Sequence, residues 1–206
     1  MFIVVCVGLM ALAATQDRAV AQHVHDRDWK NIVHNSAWAK IVKSPGDFRF
    51  TLGVAAVIII FNRQKYMSAV QLLGAGITSG LIYTVVKWVV GRTRPFPSHA
   101  AYVPPFEFHP FIRGLAGLIK ADNMAFPSGH TGLAFATAAT LSTIAPRGAV
   151  VYYFIAIAVG VERVLEGAHY PSDVVGGLLF GVLAAYLADR TAHKVKHNAG
   201  LPAIEK

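Results

Sequence analysis

The sequence predicts an all-α fold, a polytopic membrane helix bundle of about six helices, or five if the N-terminal segment is a cleaved signal. Three observations predict it. Of the 206 residues, 54% are hydrophobic and 15% charged, with a mean hydropathy of +0.47, whereas soluble domains carry roughly a quarter charged residues. The apolar residues fall in long runs divided by polar or Pro/Gly-bearing breaks. A soluble all-α core would have to hide five or six nearly uncharged helices, more than a chain of this size can enclose.

Taken in order, residues 2–14 form an apolar run of signal-peptide length, short for a span of about 20 residues. Ala19-Val20-Ala21 resembles a cleavage site, yet no Lys or Arg precedes the run as a signal requires. A membrane helix or signal peptide over 1–16 therefore both stay open. Across 17–47, Trp29, Ile32, Val33, Ala37 and Ile41 recur at helical spacing among charged residues. This predicts an amphipathic interfacial segment, with Trp29 and Trp38 at headgroup level, or else a helix packed on the bundle's rim. Pro45-Gly46 ends it.

A membrane domain is expected over 48–189. Its first two hydrophobic segments are Phe48–Phe61 and Met67–Val90, the latter holding Gly76-x-x-x-Gly80, a small-residue spacing that lets helices approach. Residues 91–127 form a long Pro- and Phe-rich connection with an apolar stretch at Phe111–Ile119; connections this long tend to be functional. Further helices are expected over Ser128–Ile144, Ala149–Val164 and Val174–Ala188, the last with Gly177-x-x-x-Gly181. The runs 48–61 and 174–188 are short for full spans, and Arg49, Lys65 and Arg190 can snorkel to extend them. The basic polar tail, 190–206, is expected to be poorly ordered.

The net charge of +8 comes from 19 Lys+Arg against 11 Asp+Glu. Such an excess suits nucleic acid, anionic lipid or a phosphorylated ligand, and the want of a basic stripe outside loops and tail argues for no nucleic acid. The single cysteine, Cys6, excludes an intrachain disulfide. Basic residues lie on both sides of the predicted spans, so charge alone leaves orientation open.

Alternation of the spans brings three polar clusters to one membrane face. Lys87, near the end of the third segment, is followed by Arg94 and the helix-ending Pro95. Arg offers a planar fork for two phosphate oxygens and Lys a point charge. Pro127-Ser128-Gly129-His130 opens the fourth segment, with Ser128 as N-cap and the first-turn N–H groups as an anion site. Arg163 ends the fifth segment, His169 lies in Gly167-Ala168-His169-Tyr170-Pro171, and Asp173 starts the sixth. A carboxylate there can accept from one imidazole nitrogen and leave the other free to attack. His130, His169 and Asp173 could also ligate a cation, but Lys87, Arg94 and Arg163 beside them would repel a metal and welcome an oxyanion.

The Lys87–Arg94–Pro95 spacing, the Pro127–His130 tetrad and the Arg163–His169–Asp173 spacing together resemble the type 2 phosphatidic acid phosphatase family, membrane lipid phosphatases that share their site with vanadium haloperoxidases. The similarity covers roughly 48–189; each motif alone is weak and the three in order are specific. The resemblance implies a metal-independent enzyme with no cofactor and a membrane lipid phosphate as substrate. It implies His169 as nucleophile forming a phosphohistidine, Asp173 orienting it, and His130 protonating the leaving oxygen and then activating water. Lys87, Arg94, Arg163, Ser128 and the Gly129 N–H would hold the phosphate. A lipid phosphotransferase using the same intermediate, or a non-catalytic lipid-binding relative, are the alternatives. The resemblance further implies a bacterial inner membrane protein whose site faces the periplasm or exterior. One residue departs from the pattern: Glu162 stands where the family usually has a small residue, and it can pair with Arg163 or repel the phosphate.

Overall fold

The computed structural model describes residues 2–62, 65–95, 108, 110–111 and 124–198. Over these, eight α-helices and two 3-10 turns account for the regular structure: α1 Phe2–Asp26, α2 Trp29–His34, α3 Ala37–Lys43, a turn at Ser44–Gly46, α4 Phe48–Phe61, α5 Tyr66–Val90, α6 Gly129–Ile144, a turn at Pro146–Gly148, α7 Ala149–Leu165 and α8 Pro171–Asn198. Six are the bundle helices predicted from hydropathy. Four helical stretches, in α1, α5, α7 with its preceding turn and α8, are long and apolar enough to cross a membrane, and α3 with α4, bent by 68°, would make a fifth. Leu9 and Leu12 on α1, Ile60 and Phe61 on α4, Ile77 and Leu81 on α5, and Val150 and Phe154 on α7 are exposed. So large an apolar surface is stable against lipid rather than water. The chain is an integral membrane protein.

At the centre, α6 lies against α5, α7 and α8, and α8 against α1, α5 and α6. The sequence makes these crossings close by removing side chains. A Cβ on Gly177 would lie 2.6 Å from the Ser128 carbonyl oxygen, and one on Gly181 would collide with the Gly132 carbonyl. The Gly177/Gly181 pair therefore brings α8 backbone-to-backbone with α6. Of the other pair, Gly76 meets Phe48 and Leu133, whereas the nearest atom beyond Gly80 is Tyr83 at 3.9 Å. Ala75, Ala136, Ala184, Ala185 and Ala188 fill the α5–α6–α8 core, and Phe135, Ala138, Ala156 and Val159 the α6–α7 seam. From Thr131 to Ala138 every residue of α6 is buried, so this 16-residue helix, about 24 Å long, is shielded by protein and has no need of a full lipid-facing length.

Two expectations change. Residues 17–47 form no single amphipathic helix. The first helix runs on to Asp26, the chain breaks at Asp28 in the left-handed region (φ 51°), and it breaks again at Asn35–Ser36. The cause is packing: Ala21 and Val24 are buried on α1, which lies along α8, and the side chain of Asn31 bonds Asp28 at the corner. On α3, Ala39 is buried while Trp38 and Ile41 are exposed. The sixth bundle helix begins at Pro171 and continues past Ala188 as far as Asn198, into the tail expected to be poorly ordered. Between Ala188 and Asn198 the sequence has no Gly or Pro, Ala192 is buried, and Arg190 sits over the Tyr186 ring at 5.1 Å. Most of the 91–127 connection, including residues 112–119, and the tail from 199 lie outside the described residues.

Candidate active site

The C-terminal ends of α5 and α7 and the N-terminal ends of α6 and α8 meet at one end of the bundle. This follows from alternation, and it gathers the three clusters. Lys87, Arg94, Gly129, His130, Arg163 and His169 line one cavity of about 330 Å³, together with Gly46, Asp47, Phe48, Tyr83 and Leu133. Two predicted residues stand behind its wall. Ser128 and Asp173 are fully buried, and neither lines the cavity.

Local sequence positions each group. Gly91 caps α5 in the left-handed conformation (φ 57°), which suits glycine, and turns the chain so that Arg94 comes back toward Lys87. The Lys87 ammonium donates to the Met124 carbonyl at 2.9 Å and lies 5.6 Å from the Tyr83 ring centre. His130 sits in the first turn of α6, where N–H groups are unpaired within the helix. The turn at Ser44–Gly46 presses on it: a Cβ on Gly46 would lie 2.8 Å from His130 Cβ. Only glycine lets that turn close one wall of the cavity.

Ser128 occupies the N-cap position, but its hydroxyl caps nothing; Thr131 donates to it at 2.9 Å. The Ser128 backbone N–H donates to the Asp173 carbonyl at 3.0 Å, tying α6 to α8.

The His169–Asp173 pairing expected from sequence is corrected. His169 Nδ1 is 2.7 Å from the Ala125 carbonyl oxygen and 3.7 Å from Asp173 Oδ2. A carbonyl only accepts, so Nδ1 carries the hydrogen and Nε2 holds the lone pair. Asp173 influences the ring by charge, not through a hydrogen bond. Its oxygens are taken by Arg92 Nη1 at 2.6 Å and the Tyr170 N–H at 2.8 Å. Burial, and then the charges of Lys87, Arg94 and Arg163, push His169 well below the usual histidine range, opposed by the Ala125 hydrogen bond. The imidazole is therefore neutral at physiological pH, as a nucleophile must be.

Glu162 pairs with Arg163 rather than facing the cavity. Its carboxylate takes Arg163 Nε at 2.6 Å and Nη2 at 2.7 Å in a two-pronged bridge, and Glu166 closes on the same Nη2. Lys43 lies 3.5 Å from Glu166. The third cation of the site is thus held, and partly neutralised, by two carboxylates.

The sequence left several neighbours unread. Gly46, Asp47 and Phe48 line the cavity from a segment remote in sequence, which no local motif marks. Asp17 and Arg92 form a buried node behind Asp173: Arg92 Nη2 donates to Asp17 Oδ2 at 2.9 Å, and the Ser172 N–H to Asp17 Oδ1 at 2.9 Å. A carboxylate following an apolar helical run was a signal for Asp17, since such groups persist only when paired.

Comparison with known proteins gives the family and the fold. The model of the PAP2 superfamily matches residues 68–196. Lipid A 1-phosphatase of Rhizobium etli is 40% identical over 103 residues, covering 50% of this chain and 41% of that protein; the match spans about two fifths of the relative's length. Two crystal structures share the fold. Aquifex aeolicus LpxE superposes with a TM-score of 0.57 at 20% identity, covering 79% of this chain and 93% of that one. A transmembrane PAP2-type phosphatidylglycerolphosphate phosphatase from Bacillus subtilis gives 0.55 at 21%, covering 91% and 98%.

Proposed function

The chain belongs to the PAP2 superfamily, and on that premise we propose that it is a lipid phosphatase hydrolysing a phosphate monoester or diphosphate of a membrane lipid, without a metal, through a phosphohistidine on His169. One observation carries the reading: three cations and two histidines from four helix ends line a single cavity. That donor set fits a phosphate, whose oxygens Lys87, Arg94, Arg163 and the Gly129 N–H would hold.

In the first step the Nε2 lone pair of His169 attacks phosphorus while the bond to the ester oxygen breaks. His130 takes up a proton from solvent as the phosphate dianion arrives, because the dianion favours the protonated imidazole, and gives that proton to the departing oxygen. In the second step His130, now neutral, takes a proton from water as the water attacks phosphorus. The N–P bond breaks, and inorganic phosphate and the resting His169 are regenerated. Positioning and electrostatics dominate such transfers, and the Ala125 carbonyl supplies one part by fixing the tautomer of His169. Helix ends at the membrane surface put the phosphate at headgroup depth while acyl or prenyl tails remain in the bilayer.

The site would face the periplasm or exterior of a bacterial inner membrane, in keeping with the family resemblance and with the basic short connections at Lys65 and Arg147 on the opposite side. The test is phosphate release by purified protein in detergent with EDTA, beside His169→Ala. The panel is phosphatidylglycerophosphate, undecaprenyl diphosphate, phosphatidic acid and lipid A. EDTA-resistant release that vanishes in the variant is expected. No release from any lipid, or equal release by both proteins, would overturn the reading; transfer of the phosphate to an added acceptor lipid would make the enzyme a phosphotransferase.

A further inference from the structure

The N-terminal helix carries a charged residue that hydropathy gives no reason to keep. Asp17 is completely buried in α1. Its Oδ2 accepts from Arg92 Nη2 at 2.9 Å and from the Ser172 hydroxyl, and its Oδ1 accepts from the Ser172 N–H at 2.9 Å. Arg92, also buried, donates from Nη1 to Ser172 Oγ at 2.7 Å and to Asp173 Oδ1 at 2.6 Å. Its guanidinium lies over the Tyr170 ring, 4.2 Å from the centre. One planar fork thus joins α1 to the start of α8.

Arg92 has a second arm. Its backbone carbonyl accepts from the Ala125 N–H at 2.9 Å, and the Ala125 carbonyl in turn accepts from His169 Nδ1 at 2.7 Å. Side chain and main chain of this residue therefore hold the two groups that act on His169: Asp173 by charge and Ala125 by hydrogen bond. Neither Asp17 nor Arg92 lines the cavity, so neither touches the phosphate.

The geometry points to Asp17 and Arg92 as positioning residues for the phosphoryl-transfer histidine, a clamp in which α1 fixes the Arg92 fork and the fork fixes Asp173 and the Ala125 carbonyl. The inference rests on the phosphatase reading and adds to it that α1 is part of the working enzyme. Asp17 lies before the Ala19–Ala21 cleavage-like sequence, so removal of a signal there would remove the clamp's anchor.

The test compares Asp17→Asn, Arg92→Lys, the double variant and Ser172→Ala with the wild type, in detergent, on whichever lipid of the panel is turned over fastest. Asn keeps the size and an acceptor for the Ser172 N–H. Lys keeps the charge and loses the planar fork. Removal of partners that orient a reacting group typically costs about 10–100-fold. Each charged variant should therefore lose about that factor in kcat, with KM within about twofold. Ser172→Ala, which leaves both ion pairs, should lose only about two- to fivefold on the same scale. Because the pair acts as a unit, the double variant should lose no more than the worse single one. Purified wild-type protein should have the intact mass of a chain that retains Asp17.

Wild-type kcat in folded Asp17→Asn and Arg92→Lys, or a loss confined to KM, would overturn the clamp while leaving the phosphatase reading intact. If either charged variant fails to fold, Ser172→Ala decides, and unchanged kcat there would overturn the clamp. So would an active protein whose mass corresponds to a chain beginning at Gln22. A wild type inactive on every lipid would overturn both readings together.

Discussion

His169 Nδ1 lies 2.7 Å from the Ala125 carbonyl oxygen and a full ångström farther, at 3.7 Å, from the Asp173 carboxylate. A main-chain acceptor fixes the ring's tautomer, and the carboxylate adds charge from behind. This divides between two groups what a directly bonded aspartate would do alone. Asp173→Asn should then lose about 10–100-fold in kcat, well short of the ~10⁴-fold loss when the aspartate itself sets the tautomer. Steady-state kinetics beside His169→Ala, which should have no turnover, measures the difference.

The Glu162–Arg163 bridge predicts a restrained phosphate grip. Replacing Glu162 with Ser removes one unit of negative charge from the guanidinium that lines the cavity. Vanadate, as a phosphate mimic, should then bind about tenfold more tightly, equivalent to about 1.4 kcal/mol. Inhibition constants of the two proteins at fixed ionic strength test it; equal or weaker binding would mean that Glu162 chiefly positions Arg163.

Acid should destabilise the protein through His169. Its pKa in the fold is depressed by burial and by three neighbouring cations, while in the unfolded chain it stays near 6.5. Above that pH the ring is neutral in both states and contributes nothing. Below it the unfolded chain binds a proton that the fold refuses, so stability falls with a limiting slope of about 1.4 kcal/mol per pH unit. Between pH 6.5 and 5 the wild type should lose melting temperature faster than His169→Gln does. Parallel losses would remove His169 as the cause.

Trp38 and Ile41 are exposed on α3, the helix that leads through the Ser44–Gly46 turn to the cavity wall. Their apolar side chains suit the headgroup boundary. Trp38→Ala with Ile41→Ala should lower kcat/KM on lipid in vesicles about tenfold, the scale of one or two lost apolar contacts, and leave a soluble phosphate ester unaffected. Equal losses on both substrates would deny α3 a guiding role.

The site was legible where sequence spacing and span alternation do the work. Lys87, Arg94, His130, Arg163 and His169 sit at ends of helices that hydropathy marks, and alternation forces those ends together. What failed to read depends on packing between distant segments. Gly46 reaches His130 only because it carries no side chain at the contact, and no periodicity signals that. Asp173 was expected to hold His169 because the two are four residues apart; Arg92, drawn in by Asp17 from the first helix, takes that carboxylate instead. The break at Asp28 and the run of α8 to Asn198 likewise follow from burial of Ala21, Val24 and Ala192 against neighbours.

The most direct measurement is capture of the intermediate. Purified protein turning over its lipid in EDTA is quenched in alkali, which preserves phosphohistidine, and the modified peptide is located by mass spectrometry. The account predicts an acid-labile, base-stable phosphate on His169, formed without metal and absent from His169→Ala. Phosphate release that proceeds with no modified His169, or that continues in His169→Ala, would contradict it.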